Sequence, residues 1–371
     1  MPLPRPYACA VAVTVRNPLS SAFDPRLNGL NLLRLLLATG VIIHHSFLVL
    51  GIPITGVYAK LLQEGFVDGF FAISGYLIVS SWHRNPRWWP YLRARALRIL
   101  PGFWVCLVVT AFILAPIGIA LQGSGFPPGY WGDAAAFVAR NLALVGFSYN
   151  IGPTPADLPQ TDWNGSLWTL WWEFSCYLIV LVLGVIGALK RRWVIPGMFV
   201  LSLALILLTD AHLIGNFLFF MAARFGTMFF AGALIYQLRD RLPVRIWLVV
   251  AAAAIVFITA AFLPEYRLVA AIPLAYLLIC LGALIKVPAL RLRNDVSYGV
   301  YIYAFPVQQL LAIVGAGALG VPAFAVLSFL ATLPLAVASW FLVERPALRL
   351  KMRGREPKTV QEDVVASVPG D

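Results

Sequence analysis

The chain has 371 residues, 61% of them hydrophobic and only 12% charged. A soluble domain carries about a quarter charged residues, so the composition excludes an ordinary water-soluble enzyme or binding module. The net charge of +12 does not point to nucleic acid, because the Lys and Arg residues form short clusters between apolar blocks instead of covering one domain face.

The apolar residues fall in blocks of about twenty, the length a helix needs to cross a hydrocarbon core of about 30 Å. The expected fold is therefore an all-α integral membrane domain. The first 26 residues hold Arg5 and Arg16 and a weak apolar patch, without a long apolar core and small-residue cleavage site, and read as an N-terminal cytoplasmic segment. Ten candidate spans follow, near 29–50, 66–82, 98–118, 167–188, 193–209, 214–237, 246–263, 268–285, 297–317 and 322–343. Alternate connections are basic: Arg84 to Arg98, Lys190 to Arg192, Arg239 to Arg245, Lys286 to Arg293 and the stretch after Arg345. The intervening ones hold only Lys60, Arg140 and Arg267. Cytoplasmic loops carry the excess of Lys and Arg, so both termini are expected in the cytoplasm. The longest connection, 119–165, lies outside by this reading; its part from Asp133 to Phe147 is apolar enough to dip into the membrane, but Asp133, Arg140 and Asn141 argue against a full crossing. The membrane domain is expected over 27–345 and a basic, then disordered, cytoplasmic tail over 346–371, with no second globular domain. Cys9, Cys106, Cys176 and Cys280 lack metal-ligand spacing, and three fall inside apolar blocks, where a thiol acts as a small hydrophobe; no metal is expected.

Ionisable residues inside apolar blocks carry the functional signal. In the first span Arg34 precedes His45 by eleven positions. On a helix these are rotated by about 20° and separated by roughly 16 Å, so they share a face from which His44 points about 80° to 100° away. An Arg at the bilayer centre costs about 2.5–3.5 kcal/mol on insertion scales, so Arg34 lines the bundle interior or a cavity, or snorkels to the interface. Imidazole suits proton transfer near neutral pH, which makes His45 either a catalytic candidate or a satisfied packing residue. Asp68 opens the run Phe70-Phe71-Ala72-Ile73-Ser74-Gly75-Tyr76 and reads as a cavity residue or an interfacial acid. The basic block ending in Arg95 and Arg98 is explained by topology, or by its helical face as a grip for a polyanion such as the phosphates of coenzyme A. Glu173 lies seven positions after Ser166 on the same stripe and is a site candidate or a structural partner for a residue such as Arg224. The segment Asn294 to Tyr301 leads to Pro306, a kink that shapes a cavity or serves packing.

Five motifs in order, Leu33-Arg34 with His45, Phe70 to Tyr76, Arg95-Ala96-Leu97-Arg98-Ile99-Leu100-Pro101, Asn164-Gly165-Ser166-Leu167-Trp168-Thr169-Leu170 and Ser297-Tyr298-Gly299-Val300-Tyr301, resemble the bacterial acyltransferase-3 family of membrane O-acyltransferases. The resemblance runs from about residue 27 to 345 and implies a ten-helix domain in the bacterial inner membrane. It implies transfer of an acetyl or other short acyl group from cytoplasmic acyl-CoA to a glycan or lipid-linked sugar. Arg34 and His45 would be the family's signature Arg and His. Arg95, Arg98 and Ser74 are expected on the donor side, with the phosphates near the two arginines. His45 would be general base or acyl carrier, Arg34 would position the donor or polarise the thioester carbonyl, and Glu173 would orient His45 or handle the acceptor. Where relatives often have His before the ninth-span proline, this chain has Ala304-Phe305-Pro306. The competing expectation is a transporter or flippase with intramembrane Arg, His and Glu, although no internal repeat is apparent.

Overall fold

The structure, a computed structural model, describes residues 18–25, 27–123, 125–145 and 148–350. Most of the expected N-terminal segment, Cys9, and the tail beyond residue 350 lie outside the described residues. Every one of the ten apolar segments is occupied by a helix: α1 (Leu30–Val49), α2 (Phe66–Arg84), α3 (Trp88–Gln122), α5 (Trp168–Val185), α6 (Val194–Asp210), α7 (Phe217–Gln237), α8 (Ile246–Phe262), α9 (Arg267–Leu284), α10 (Ser297–Ile313) and α11 (Val321–Leu350). A further helix, α4 (Tyr130–Asn141), lies in the long 119–165 connection. At 12 residues it spans on the order of 18 Å, too short to cross a bilayer. No strand occurs among the described residues; seven of the helices are long and apolar enough to cross a membrane.

Two helices run well past the lengths expected from hydropathy. α3 has 35 residues and α11 has 30, on the order of 52 Å and 45 Å against a core of about 30 Å. α3 begins at Trp88, ten residues before its expected start, so the basic block forms helical turns instead of a loop. Arg is a good helix former and nothing in Tyr91 to Arg98 breaks the ladder. The start of α3 meets the end of α11, where Arg93 Nη2 donates to the Leu350 carbonyl at 3.0 Å.

Contacts fix the relative directions of the helices. Arg34 meets Asp295 and His45 meets Phe305, so α1 and α10 run parallel. Asp68 pairs with Arg224 and Tyr76 meets Tyr236, so α2 and α7 are parallel as well. Tyr91 bonds to Tyr177 and Cys106 to Asn164, which makes α3 and α5 antiparallel. These are the directions required if each apolar segment reverses the chain. α2 and α7 approach most closely at Gly75 and Gly232, each of which lies against the backbone of the other helix. Small residues permit such contact, the usual basis of helix association in lipid. α10 is buried from Ser297 through Gln309 and forms the centre of the bundle. A helix apolar on all sides belongs there.

Candidate active site

At one end of the bundle α1, α3 and the entry to α10 converge on one carboxylate. Asp295 accepts a hydrogen bond from Arg34 Nη1 at 2.8 Å, and also from Arg98 Nη2 and the Ser297 hydroxyl. Arg98 Nη1 lies 3.8 Å from Glu344, whose other oxygen accepts from Ser339 at 2.9 Å. Two guanidinium groups therefore face two carboxylates, and neither Arg leaves an uncompensated charge. Burial alone would raise the Asp295 pKa, but Arg34 and then Arg98 outweigh it and hold the group at about 2. Asp295 was a silent member of its motif in the sequence. Its partners come from segments 261 and 197 positions away, which no local pattern reveals.

Beside this node, Glu173 accepts hydrogen bonds from Ser74 at 3.0 Å and from Tyr177. Arg95 stacks over the Tyr177 ring with its guanidinium carbon 5.9 Å from the centroid, and its buried Nε has no hydrogen-bond partner. A cavity of about 100 Å3 is lined by Arg34, Ser74, Arg95, Arg98 and Tyr177. A second, of about 30 Å3, is lined by Arg34, Phe70, Thr169, Glu173 and Tyr301. The structure thus brings together Arg34, Ser74, Arg95, Arg98 and Glu173, with Arg34 on both cavities. Of the partners considered for Glu173, Arg224 bonds Asp68 instead, and Nδ1 of His45 has no hydrogen-bond partner.

His45 stands apart from these cavities. It is buried, with the Phe305 ring edge-on at 5.0 Å between centroids. Arg34 and His45 both face α10, as their shared helical face requires, whereas half-buried His44 faces the charges of Arg224 and Glu64 on another side. Phe70, edge-on to Tyr301 at 5.7 Å, lines the small cavity between the levels of Arg34 and His45. The Asn164 to Leu170 motif anchors the long 119–165 connection onto α10: Asn164 donates to the Ile302 carbonyl at 2.9 Å, and Thr169 shares a 2.5 Å hydrogen bond with the Tyr301 hydroxyl. Near His45, Gln308 donates to the Ile42 carbonyl and to Ser46, each at 2.9 Å.

A second ion cluster was not foreseen. Asp68 is fully buried and accepts from Arg224 Nε at 3.2 Å, Arg267 Nε at 2.7 Å and the Tyr266 hydroxyl. Arg267 also pairs with Glu265 at 2.9 Å and with Glu64. The signal available was the presence of Asp68 and Arg224 in apolar segments, each of which demands a partner. Among the described residues no cluster of His, Cys, Asp and Glu could hold a metal ion, and Cys106, Cys176 and Cys280 are buried and free.

A bundle of apolar helices enclosing a polar, arginine-rich inner cavity defines a multi-pass membrane protein with a buried reaction or binding site. The acyltransferase domain model of the acyltransferase-3 family matches residues 27–341, and the chain belongs to that family. It is a membrane O-acyltransferase. It is similar to nodulation protein 10 of Rhizobium leguminosarum bv. viciae, 27% identical over 353 residues that cover 87% of this chain and 94% of the relative. It is also similar to the O-acetyl transferase of Shigella phage Sf6, 28% identical over 321 residues that cover 84% and 93% respectively. No solved structure matches.

Proposed function

We propose that this enzyme takes an acetyl group from acetyl-CoA at the cytoplasmic face of the bacterial inner membrane and esterifies a hydroxyl of a cell-surface or lipid-linked sugar. The observation that carries this reading is the placement of Arg34. It lines the inner cavities with Ser74, Arg95 and Arg98, and its helical face leads to the buried, unpartnered Nδ1 of His45. The O-acetyl transferase relative supports acetyl as the group transferred. Ten crossings with both termini inside agree with the helix directions and with the alternation of basic connections.

In this mechanism the donor enters from the inner cavity and its thioester arm extends along α1 towards His45. Arg95, whose Nε has no protein partner, contacts the donor, and Ser74, Tyr177 and Glu173 hold the wall opposite it. Arg34, held by Asp295 roughly 16 Å before His45 along α1, positions the donor as it passes towards the reacting centre. His45 takes the proton from the acceptor hydroxyl as its oxygen attacks the acyl carbon. The C–O bond forms, the C–S bond breaks, and the proton passes to the departing coenzyme A thiolate. With His45 as acyl carrier, a C–N bond to its ring forms as C–S breaks and the thiolate leaves; the acceptor oxygen then forms C–O as C–N breaks, and its proton ends on the thiolate.

The test is release of coenzyme A thiol from acetyl-CoA by the purified protein, with and without a sugar acceptor. Thiol release that depends on the acceptor and is matched by a base-labile ester supports the enzyme. Movement of an intact sugar or lipid across a sealed vesicle without thioester cleavage would instead support a flippase.

A further inference from the structure

A cavity of about 310 Å3 lies apart from the one that holds Arg95 and Arg98. It lies between the start of α1, Leu77 of α2 and the segment 288–293, and its polar walls include Asn28, Asn31, Arg34, Arg291 and Arg293. From these residues we infer that it binds the phosphate groups of the donor's nucleotide end, with Arg291 and Arg293 as ligands and Arg34 at the inner wall. The inference rests on the acyl-CoA reading above.

Charge is the first reason. Arg98 is neutralised by Asp295 and Glu344, so it is a poor holder for a polyanion. Arg291 and Arg293 form no ion pair with a described carboxylate, and no acidic residue lines the cavity. Guanidinium groups match the oxygens of phosphate or carboxylate in pairs, and more than one arginine without an acidic neighbour suits the multiple charge of phosphates.

Architecture is the second. The segment carrying the two arginines is fastened on both sides: Asn31 donates to the Leu292 carbonyl at 2.8 Å, and Asp295 is clamped by Arg34 and Arg98. Arg291 is drawn back onto the Ile285 carbonyl at 3.4 Å and the Lys286 carbonyl. The backbone of this wall and the Arg291 side chain are thus held in place, and ligand binding loses less freedom there. Arg34 lines this cavity and also the one holding Ser74 and Arg95, so phosphates seated here leave the rest of the donor beside the reaction path. A phospholipid headgroup offers the same chemistry, but that continuity favours the donor.

The test uses full-length protein in nanodiscs of zwitterionic lipid and compares wild type, Arg291→Gln/Arg293→Gln and Arg291→Lys/Arg293→Lys. Binding of coenzyme A is measured by titration, together with KM and kcat for acetyl-CoA. The glutamine pair is expected to raise Kd and KM on the order of tenfold or more while kcat stays within about twofold, and the lysine pair to recover most of the loss. Adenosine 3′,5′-bisphosphate should compete with acetyl-CoA in wild type and lose that effect in the glutamine pair. Wild-type acetyl-CoA turnover with an unchanged Kd in the glutamine pair, or a loss confined to kcat, overturns the phosphate site and leaves the enzymatic reading standing. Wild-type dependence on added anionic lipid, with coenzyme A binding indifferent to both arginines, assigns the cavity to a headgroup and also overturns it. Wild type that neither binds nor cleaves any acyl-CoA overturns both readings.

Discussion

Asp295 ties α1 to α3 at the site, because among the described residues it is the carboxylate shared by Arg34 and Arg98. Removing its charge leaves two largely buried guanidinium groups, with Glu344 as the remaining ion-pair partner of Arg98. Breaking a buried ion pair from one side costs about 3–5 kcal/mol, so Asp295→Asn should lower the thermal unfolding midpoint in detergent clearly more than Ser297→Ala. An unchanged midpoint would mean that the cluster contributes no stability. Its pH dependence has a definite sign. The Asp295 pKa lies below its ordinary value of 3.8, at about 2, so its contribution is fully present above the unfolded value and is lost as pH falls from there through the folded value. A midpoint measured along that window should fall more steeply for wild type than for Asp295→Asn. Arg34 and His45 were legible as ionisable groups in an apolar segment, and their common face is borne out by their contacts with α10. Asp295 and Glu344 were not, because a charged residue beside a span looks like any interfacial group until distant partners are known.

Among the elements, the pair α2 and α7 holds Asp68, Ser74 and Arg224 in place, and its tightest point is the crossing of Gly75 and Gly232. A Cβ at Gly232 would press into the Ala72 carbonyl oxygen, and one at Gly75 into the Phe229 carbonyl oxygen. Backbone cannot move aside as a flexible side chain does, so Gly232→Ala should destabilise by about 1–3 kcal/mol or more. Gly132→Ala, where a Cβ meets nothing within 4 Å, should be neutral. Equal unfolding midpoints for the two variants would contradict this packing. The helices themselves were readable because apolar length is a strong signal. Their ends were less so: hydropathy stops at the membrane boundary, whereas the hydrogen-bond ladder of α3 continues through Arg98 back to Trp88.

For the whole molecule, the account requires an inner donor entrance and a chain that reverses at each apolar segment. Single cysteines placed in a Cys9→Ser background test the second requirement. Gly56→Cys and His212→Cys should react with an impermeant reagent from outside, and Asn85→Cys and Asp240→Cys only from inside. Labelling of His212→Cys and Asp240→Cys from one side would mean that α7 does not cross. The charge pattern predicts this topology from sequence, while the arrangement of cavities was not readable there, since it depends on which helices become neighbours. The measurement that tests the central claim most directly is transfer of labelled acetyl from acetyl-CoA in sealed inside-out vesicles, comparing wild type, His45→Ala and His44→Ala. Label in base-labile glycan or lipid ester with wild type and His44→Ala, and none with folded His45→Ala, is the predicted result. Transfer by His45→Ala at the wild-type rate would contradict the account.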